Sequence, residues 1–314
     1  MKNVVVANPR AAAGRVRSLW EKSRDAMQAR LGDIEVRFTS GPGDATTLTR
    51  RAIGEGADRV IALGGDGTVN EVVNGFFDER GRAARETGLF VYPGGTGGDF
   101  VRSIGMSGTD PILALEEAEE RLVDVGLSQL TGHDGKSIIR HFINVSSFGS
   151  SGLIVDKVNK ATKMLGGKAS FFIGTLKGLV AYANQRIRLK VDDVFDEEVV
   201  INTVAVANGR FFGGSMMIAP HACVDDGFFD VVVLGDIGLA TFLRYSGKIY
   251  KGEHLGLAGV RELRGRVVEA TPCGRDPVLI DLDGEQPGRL PARYAVLPNA
   301  IKLFAPWKRA ATRG

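Results

Sequence analysis

Three glycine-bearing segments near the start of the chain have the composition of phosphate-binding loops. Each follows a short apolar run, and they are Asn8–Arg15, Gly64–Glu71 and Pro93–Phe100. Glycine lets backbone N–H groups approach an anion closely, and a helix that begins directly after such a loop adds the positive end of its dipole. If the apolar runs are parallel strands, all three loops lie at the carboxyl edge of one sheet, where open α/β folds bind ligands.

The middle loop carries the most chemical groups. Gly64, Gly65 and Gly67 would expose backbone amides to an anion. Thr68 can donate a hydroxyl, and Asp66 can hold Mg²⁺ or position phosphates. The chain contains neither a P-loop nor a dinucleotide fingerprint. A Gly-Gly-Asp-Gly run is also an ordinary turn, but three such loops after successive strands favour a binding function.

A pair of acidic residues near the end of the chain could take part in proton transfer. The segment Val278–Asp283 alternates, which predicts that Asp281 and Asp283 lie on one face of a strand. Gly284 would break that strand and let Glu285 turn toward a cleft between domains. Phosphoryl transfer to an alcohol needs a group that accepts the hydroxyl proton, and a carboxylate suits this task. A charged surface turn is the alternative.

The elements that would position these residues change character along the chain. Apolar runs and helical periodicity alternate up to residue 92, which predicts a parallel sheet with covering helices. Beyond residue 138 strands dominate, and two stretches, Ala169–Ala183 and Leu239–Lys251, are predicted helices. The second part is therefore predicted to be mainly antiparallel. Residues 125–135 are polar and rich in glycine, and we expect the link between the domains there.

Composition excludes several classes of protein. The 314 residues are 44% apolar and 25% charged, which excludes a disordered chain, a coiled coil and a collagen-like fibre. The net charge of +3 comes from well-mixed charges and does not indicate a nucleic-acid partner. Two cysteines form no disulfide framework, and four scattered histidines show no zinc spacing. We find no export signal and no apolar stretch of membrane-spanning length, so we expect a cytoplasmic protein.

The loops resemble the motifs of a known enzyme family. Ala62–Glu71 resembles the signature GGDGTxNE of the diacylglycerol kinase catalytic-domain family, which includes sphingosine kinases, ceramide kinases and soluble bacterial lipid kinases. Asn8–Gly14 is similar to the family's NPxxG opening and Thr39–Ala45 to its TxxxxDA segment. Pro93–Arg102 is similar to PxGTxNDFAR, except that Gly98 stands where Asn is usual.

The resemblance extends over nearly the whole chain. Ala207–Pro220 is similar to the family's ANGxxxGGGxxxAP run, Ala222–Val231 to its AxxDDGxxDV segment and Asp283–Glu285 to its DGE. It implies an N-terminal Rossmann-like parallel α/β nucleotide domain and a C-terminal antiparallel β-sandwich domain, with the active site in the cleft between them. The expected domains are residues 1–128 and 129–295. Residues 296–314 would form a C-terminal segment that packs back on the first domain.

The resemblance also implies a nucleotide site and a metal site. Mg²⁺ would be held by the Asp226 carboxylate and by main-chain oxygens of Cys223 and Phe228, which are the hard ligands that Mg²⁺ prefers. A bare hairpin turn at Asp226 is the alternative. The expected ATP contacts are Asn8, Pro9, Thr39, Gly65, Asp66, Gly67, Thr68, Val69, Asn70, Glu71 and Thr96.

Catalytic roles follow from the same resemblance. Glu285 is the expected proton acceptor, Asp283 would orient it or share its role, and Asp66 would act at the phosphates. Further cations could neutralise phosphate or be ordinary surface charges, and an apolar stripe over residues 171–180 could line a lipid cleft or belong to the core. The cations are Arg15, Arg102, Lys163 and Lys168.

The function predicted in this way is that of an ATP- and Mg²⁺-dependent lipid kinase. It would transfer the γ-phosphoryl group of ATP to a lipid hydroxyl, with diacylglycerol as the leading acceptor and phosphatidic acid as the product. The expected partner is a lipid at a membrane surface, reached by peripheral contact, and a homodimer stays open. Two alternatives are an NAD kinase-like phosphotransferase and a catalytically silent lipid- or nucleotide-sensing module.

Overall fold

The computed structural model describes residues 1–78, 80–93, 98–155 and 182–307. The chain divides into two compact units. The first unit comprises Met1–Val125, Val224–Asp226 and the described residues from Pro298 onward. The second unit comprises the described parts of Gly126–Cys223 together with Gly227–Leu297. None of the helices in the described ranges is long and apolar enough to span a bilayer.

Strands and helices alternate in the first 116 residues, as the periodicity predicts. A single 3-10 turn, Ala11–Gly14, precedes the first α-helix. In chain order the elements are β1 (Asn3–Ala7), α1 (Val16–Leu31), β2 (Ile34–Phe38), α2 (Asp44–Gly54), β3 (Arg59–Gly64), α3 (Asp66–Gly75), β4 (Gly88–Pro93), α4 (Asp99–Ser103) and α5 (Pro111–Glu116).

Strands dominate the remainder of the described chain. The elements are β5 (Glu119–Gly132), β6 (Ser137–Phe142), β7 (Val145–Gly149), β8 (Gln185–Val191), β9 (Phe195–Ile201), β10 (Thr203–Ala207), β11 (Phe229–Leu234), α6 (Leu239–Lys251), β12 (Val260–Gly265), β13 (Val267–Pro272), β14 (Leu279–Leu282) and β15 (Glu285–Ala305). The helix α6 has the bounds that the sequence predicts. The other predicted helix, Ala169–Ala183, lies outside the described residues apart from its end.

The first unit is built on a parallel sheet in the order β4-β3-β1-β2. The residues of β1 are buried throughout, and those of β3 and β4 are buried almost throughout, because helices cover both faces of a parallel sheet. The end of β15 adds a further parallel strand, in which Lys302–Phe304 pair with Gly88–Phe90. A Cβ at Gly88 would overlap the Phe304 ring, so this pairing requires glycine.

The second unit is antiparallel, and its core packs between strands. One strand series runs β12-β11-β10-β7-β14-β15, and a second runs β9-β8-β13-β15. Apolar side chains from both series form one buried core, in which the rings of Phe142, Phe148 and Tyr294 pack on one another. The opposite face of β7, β10 and β11 is covered by Tyr245 and Ile249 of α6. The predicted fold class, α/β followed by an antiparallel β-sandwich, is confirmed.

The predicted link at residues 125–135 has a different structure from the one expected. It is the second half of β5 followed by a tight turn into β6, with the Gly132 amide donating to the Lys136 carbonyl at 2.8 Å. Gly135 takes a positive φ of 82°, which suits a hairpin. Gly126 is glycine because a Cβ there would overlap the Phe142 ring. The glycines therefore mark close packing and a turn, and the chain passes from the first unit to the second between Val125 and Gly126, inside β5.

Candidate active site

Three of the predicted nucleotide contacts lie together at the carboxyl edge of the first-unit sheet. The Asn8 amide donates to the Leu63 carbonyl at 3.0 Å, and the Thr39 amide donates to the Ala7 carbonyl at 2.9 Å. The Asn8 Nδ2 donates to the Thr68 Oγ1 at 3.3 Å, so the Thr68 hydroxyl oxygen is the acceptor in this bond. The ends of β1, β2 and β3 are thus joined by hydrogen bonds that continue the sheet, and they lie at the edge where open α/β folds bind ligands.

Gly64 and Gly65 differ in their surroundings. A Cβ at Gly64 would overlap the Thr68 side chain, so the close approach of β3 and α3 requires glycine there. Gly65 has a φ of −97° and a ψ of −173°, which any residue can adopt. A Cβ at Gly65 would meet no atom of the described residues within 4 Å. Neither backbone geometry nor packing against the described residues explains the glycine at position 65, whereas close approach of a ligand would.

The first turn of α3 is open at the same place. Its N-cap is Gly65, which has no side chain to accept hydrogen bonds from the first turn. Val69 is the first residue whose amide donates within the helix, to the Gly65 carbonyl at 3.1 Å. The preceding amides point out of the helix N-terminus, where the dipole favours negative charge. This arrangement can bind a phosphate group.

Asp66 holds a neighbouring loop in place. Its carboxylate accepts the amides of Gly98 at 3.0 Å, Asp99 at 3.2 Å and Phe100 at 3.3 Å, at the start of α4. These amides satisfy the carboxylate from within the protein. The structure therefore gives Asp66 a positioning role for the third loop, whose residues 94–97, including Thr96, lie outside the described residues.

Gly98 adopts a left-handed conformation, with φ 74° and ψ 43°. Glycine and asparagine are the residues that enter this region most readily, so the family's usual Asn could take the same backbone. A Cβ at this position would lie 3.6 Å from the Val101 Cβ, an ordinary contact. The departure from the family motif is therefore compatible with the local backbone of the loop.

The remaining residues of the signature stabilise α2 and α3. The Glu71 carboxylate accepts the amides of Gly43 at 2.8 Å and Ala45 at 3.0 Å, so it caps the N-terminus of α2. Val69 and Asn70 are buried, at 2% and 5% exposure. Pro9 is half-buried next to Asn8 in the turn that follows β1. The structure thus places Asn8, Thr68 and the amides after Gly65 at the open edge.

In the second unit Asp283 and Gly284 form a hairpin turn between β14 and β15. Their φ values are 49° and 90°, and Leu282 pairs with Glu285 across the turn. Two successive positive φ values are typical of a type I′ turn, for which Asp-Gly is a favoured sequence. The expectation that Asp281 and Asp283 share one strand face is wrong, because the strand ends at Leu282.

Asp283 is the centre of a buried hydrogen-bond network. Its carboxylate accepts the amides of Ile143 at 3.0 Å, Asn144 at 3.2 Å and Val145 at 2.9 Å. The Asn208 Nδ2 donates to the Ile143 carbonyl at 2.7 Å, and the Asn208 amide donates to the Asn144 carbonyl at 2.9 Å. Sequence reasoning did not assign Asn144 and Asn208 to the site, although Asn208 belongs to the ANG motif that it identified.

Glu285 follows this network and is exposed, at the first position of β15. Its backbone position is fixed by the turn that Asp283 anchors, because Glu285 pairs with Leu282 across that turn. His141 lies two residues before Ile143 of the Asp283 network and is 6% exposed. Burial lowers its pKa to about 4, with a further contribution from Arg140. His141 is therefore neutral near pH 7.

The predicted magnesium ligands lie along one short turn. Cys223, Asp226 and Phe228 are all half-buried, and Gly227 takes a φ of 74°. Arg121 forms an ion pair with Asp225 at 3.6 Å, so the adjacent carboxylate already has a cation. The proposed donors are all oxygens, which fits Mg²⁺. Among the described residues no group of three or more His, Cys, Asp or Glu side chains could hold a metal ion.

Two of the four candidate phosphate-binding cations, Arg15 and Arg102, belong to the described residues. Arg15 is exposed, and its Nε donates to the Ala12 carbonyl at 3.0 Å. The Arg102 Nε is buried and has no hydrogen-bond partner among the described residues. Lys163, Lys168 and the apolar stripe over residues 171–180 lie outside the described residues. Of the described cations, Arg102 therefore has an unsatisfied donor that an anion could accept from.

Comparison with known proteins gives consistent results over the whole chain. The family model "Diacylglycerol kinase catalytic domain" matches residues 2–129. The model "YegS C-terminal NAD kinase beta sandwich-like domain" matches residues 144–305, which is more than half of the chain. The chain is 28% identical over 282 residues to the diacylglycerol kinase of Bacillus subtilis strain 168, covering 88% of each protein.

Solved structures show the same fold. The crystal structure of a putative diacylglycerol kinase from Bacillus anthracis matches with a TM-score of 0.75 at 24% identity, over 99% of this chain and 98% of that chain. Yeast NADH kinase complexed with NADH matches with a TM-score of 0.52 at 13% identity, over 97% of this chain and 82% of that chain. With motifs, loops and both domains in agreement, the chain belongs to the diacylglycerol kinase catalytic-domain family.

Proposed function

We propose that this protein is a lipid kinase that transfers the γ-phosphoryl group of ATP to the hydroxyl of diacylglycerol. The observation that carries the nucleotide half of the proposal is Gly65. Its backbone would accept a larger residue, and an added Cβ would meet no atom of the described residues within 4 Å. The uncapped start of α3 and the Thr68 hydroxyl adjoin it. Together they offer several donors to a triphosphate.

In the proposed reaction the carboxylate of Glu285 accepts the proton of the lipid hydroxyl. The hydroxyl oxygen forms a bond to the γ-phosphorus as the bond to the β-phosphate oxygen breaks, and ADP leaves. Asp283 is a positioning residue in this account, because its carboxylate already accepts amides from Ile143, Asn144 and Val145. It holds the turn from which Glu285 projects.

We further propose that Mg²⁺ is held by the Asp226 carboxylate and by the carbonyl oxygens of Cys223 and Phe228. When bound, this ion would supply positive charge toward the nucleotide phosphates. The choice of oxygen donors supports the proposal, since a carbonyl needs no particular side chain at positions 223 and 228. The domain limits 1–128, 129–295 and 296–314 remain part of the same proposal.

The choice of diacylglycerol as acceptor is supported by the relatives from Bacillus subtilis and Staphylococcus carnosus, which are named diacylglycerol kinases. A substrate of this kind lies in a bilayer, so we propose that the protein works in the cytoplasm and contacts the membrane peripherally. The fold is shared with yeast NADH kinase, which keeps a soluble dinucleotide as the rival acceptor.

Purified protein incubated with γ-labelled ATP, Mg²⁺ and separate acceptors tests the assignment. The acceptors are diacylglycerol in mixed vesicles, sphingosine, ceramide and NAD. We expect label in phosphatidic acid. Label in the dinucleotide instead would establish the NAD kinase alternative. If calorimetry shows ATP binding while no acceptor is labelled, the protein is a catalytically silent module and the proposal is wrong.

A further inference from the structure

The outward side of α6 carries an unusual combination of side chains for a helix of a globular unit. Leu243 and Tyr250 are 49% and 50% exposed, although both are large and apolar or aromatic. Arg244, Lys248 and Lys251 are exposed on the same helix. We call these five residues, together with Gly247 between them, the α6 face.

Helical geometry separates the α6 face into two adjacent strips. Successive residues turn by about 100° in an α-helix. Leu243, Gly247 and Tyr250 therefore lie in one strip, because they are spaced by four and three residues. The three cations lie in the next strip. An apolar strip beside a basic strip is the pattern of a helix that lies flat in a membrane interface.

The inner side of α6 fixes which side faces outward. Tyr245 and Ile249 are 8% and 1% exposed and belong to a buried core of the second unit. The Tyr245 hydroxyl also donates to the Ala258 carbonyl at 3.2 Å. Because these contacts prevent rotation of the helix about its axis, the exposure of Leu243 and Tyr250 is a fixed property of the unit.

The charges of the α6 face have no acidic partner among the described residues. The segment Leu239–Lys251 contains no Asp or Glu, and the nearest acidic residues along the chain are Asp236 and Glu253. Within the described part of the chain, Arg244, Lys248 and Lys251 form no ion pair. Arg244 instead lies with its guanidinium carbon 5.5 Å from the centre of the Tyr245 ring. Three cations on one face, without an ion-pair partner in the described ranges, complement a negatively charged surface.

We propose that α6 docks the protein on a bilayer that contains anionic lipids. Leu243 and Tyr250 would enter the boundary between headgroups and acyl chains, and the three cations would contact lipid phosphates. A second copy of the chain is a poor occupant, since a symmetric contact would place the cations of one copy against those of the other. The inference rests on the proposed function, because diacylglycerol is reached only in a membrane.

Vesicle sedimentation of the full-length protein tests the proposal. One set of vesicles contains phosphatidylcholine alone, and the other contains phosphatidylcholine with phosphatidylglycerol. We expect binding to the anionic vesicles and weak binding to the neutral ones. In the variant Arg244→Gln/Lys248→Gln/Lys251→Gln, affinity for anionic vesicles should fall on the order of a hundredfold, because each cation near such a surface contributes about fivefold.

The matched control removes three positive charges from other exposed positions of the second unit. It is Lys136→Gln/Arg186→Gln/Arg275→Gln, and it should bind within about threefold of the unchanged protein if position rather than net charge matters. A second variant, Leu243→Ser/Tyr250→Ser, should lose the part of the binding that survives at high salt. Circular dichroism and thermal unfolding verify that each variant is folded.

Each outcome decides between the proposal and its rivals. Unchanged vesicle binding in the triple α6 variant overturns the proposal, as does an equal loss in the control. Loss of a dimer in sedimentation velocity with no loss of vesicle binding would assign the face to self-association and also overturn it. Phosphorylation of a short-chain, detergent-dispersed diacylglycerol is measured in parallel. If the unchanged protein does not phosphorylate this substrate, the proposed function is wrong. The vesicle-binding measurements alone decide whether α6 docks on the bilayer.

Discussion

Adjacent glycines in one loop of the first unit have different physical reasons to be glycine. Gly64 is required by contact with Thr68, whereas Gly65 has space around its Cα. Sequence alone treats them as equivalent members of one motif. The same limit applies to Asp66, since nothing in its local sequence indicates that the amides of Gly98–Phe100 would occupy its carboxylate. Residue types were predictable, and residue roles required the three-dimensional contacts.

Alanine should mainly lower stability at position 64 and mainly lower ATP affinity at position 65. Gly64→Ala should lower the free energy of unfolding by about 1–3 kcal/mol through overpacking against Thr68. Gly65→Ala should cost less than about 1 kcal/mol, the usual difference between these residues at an N-cap, but should weaken ATP binding at least about tenfold. Urea denaturation and calorimetric titration with ATP measure the two effects. ATP affinity that is unchanged in folded Gly65→Ala would refute the phosphate-binding role of this loop.

His141 should make the stability of the protein depend on pH. Burial lowers its pKa to about 4, below the ordinary 6.5 of the unfolded chain. The unfolded state therefore takes up a proton first as the pH falls, so stability is complete above pH 6.5 and declines from there toward pH 4. Between pH 7 and pH 5 this group should remove about 2 kcal/mol.

Urea denaturation of the unchanged protein and of His141→Gln at both pH values measures this contribution. The variant should be less stable at pH 7 but should lose less stability on acidification. His254 is buried as well, and burial lowers its pKa. The stability of both proteins should therefore keep some dependence on pH. Equal slopes for the two proteins would show that His141 is not kept neutral by burial.

At the scale of elements, caps from distant residues order the loops of the first unit. Glu71 of α3 caps α2, and Asp66 of the same helix fixes the start of α4. The alternation of strands and helices was predictable because buried parallel strands and amphipathic helices leave clear apolar patterns. The turn at Asp283 was not, since the preference of Asp-Gly for positive φ outweighed the alternation that suggested a longer strand.

Substitution of Glu71, whose carboxylate caps α2, tests the contribution of this cap to stability. Glu71→Ala should lower the free energy of unfolding by about 1–2 kcal/mol, because the amides of Gly43 and Ala45 lose their acceptors. Glu71→Gln keeps one acceptor oxygen and should lose roughly half as much. Denaturant unfolding of both variants gives the comparison. A Glu71→Ala variant as stable as the unchanged protein would mean that the carboxylate serves the ligand alone.

At the scale of the whole molecule, family membership and fold agree from the first strand to the last described one. Both domain classes and the bounds of α6 were predictable from the sequence, because glycine motifs and apolar periodicity are local signals. The network of Asp283, Asn144 and Asn208 joins residues far apart in the chain, so only its motif fragments were visible beforehand. The proposal of peripheral membrane contact rests on the proposed acceptor and on the charges of the α6 face.

The rate of phosphoryl transfer from ATP to diacylglycerol, compared between the unchanged protein and Glu285→Gln, tests the central claim most directly. Glu269→Gln, a change at another exposed glutamate of the second unit, is the control. We predict transfer by the unchanged protein and by the control. In Glu285→Gln the rate should fall about a hundredfold to ten-thousandfold, because the hydroxyl proton loses its acceptor. ATP affinity should stay within about twofold. A Glu285→Gln variant that transfers phosphate as fast as the unchanged protein would contradict the account.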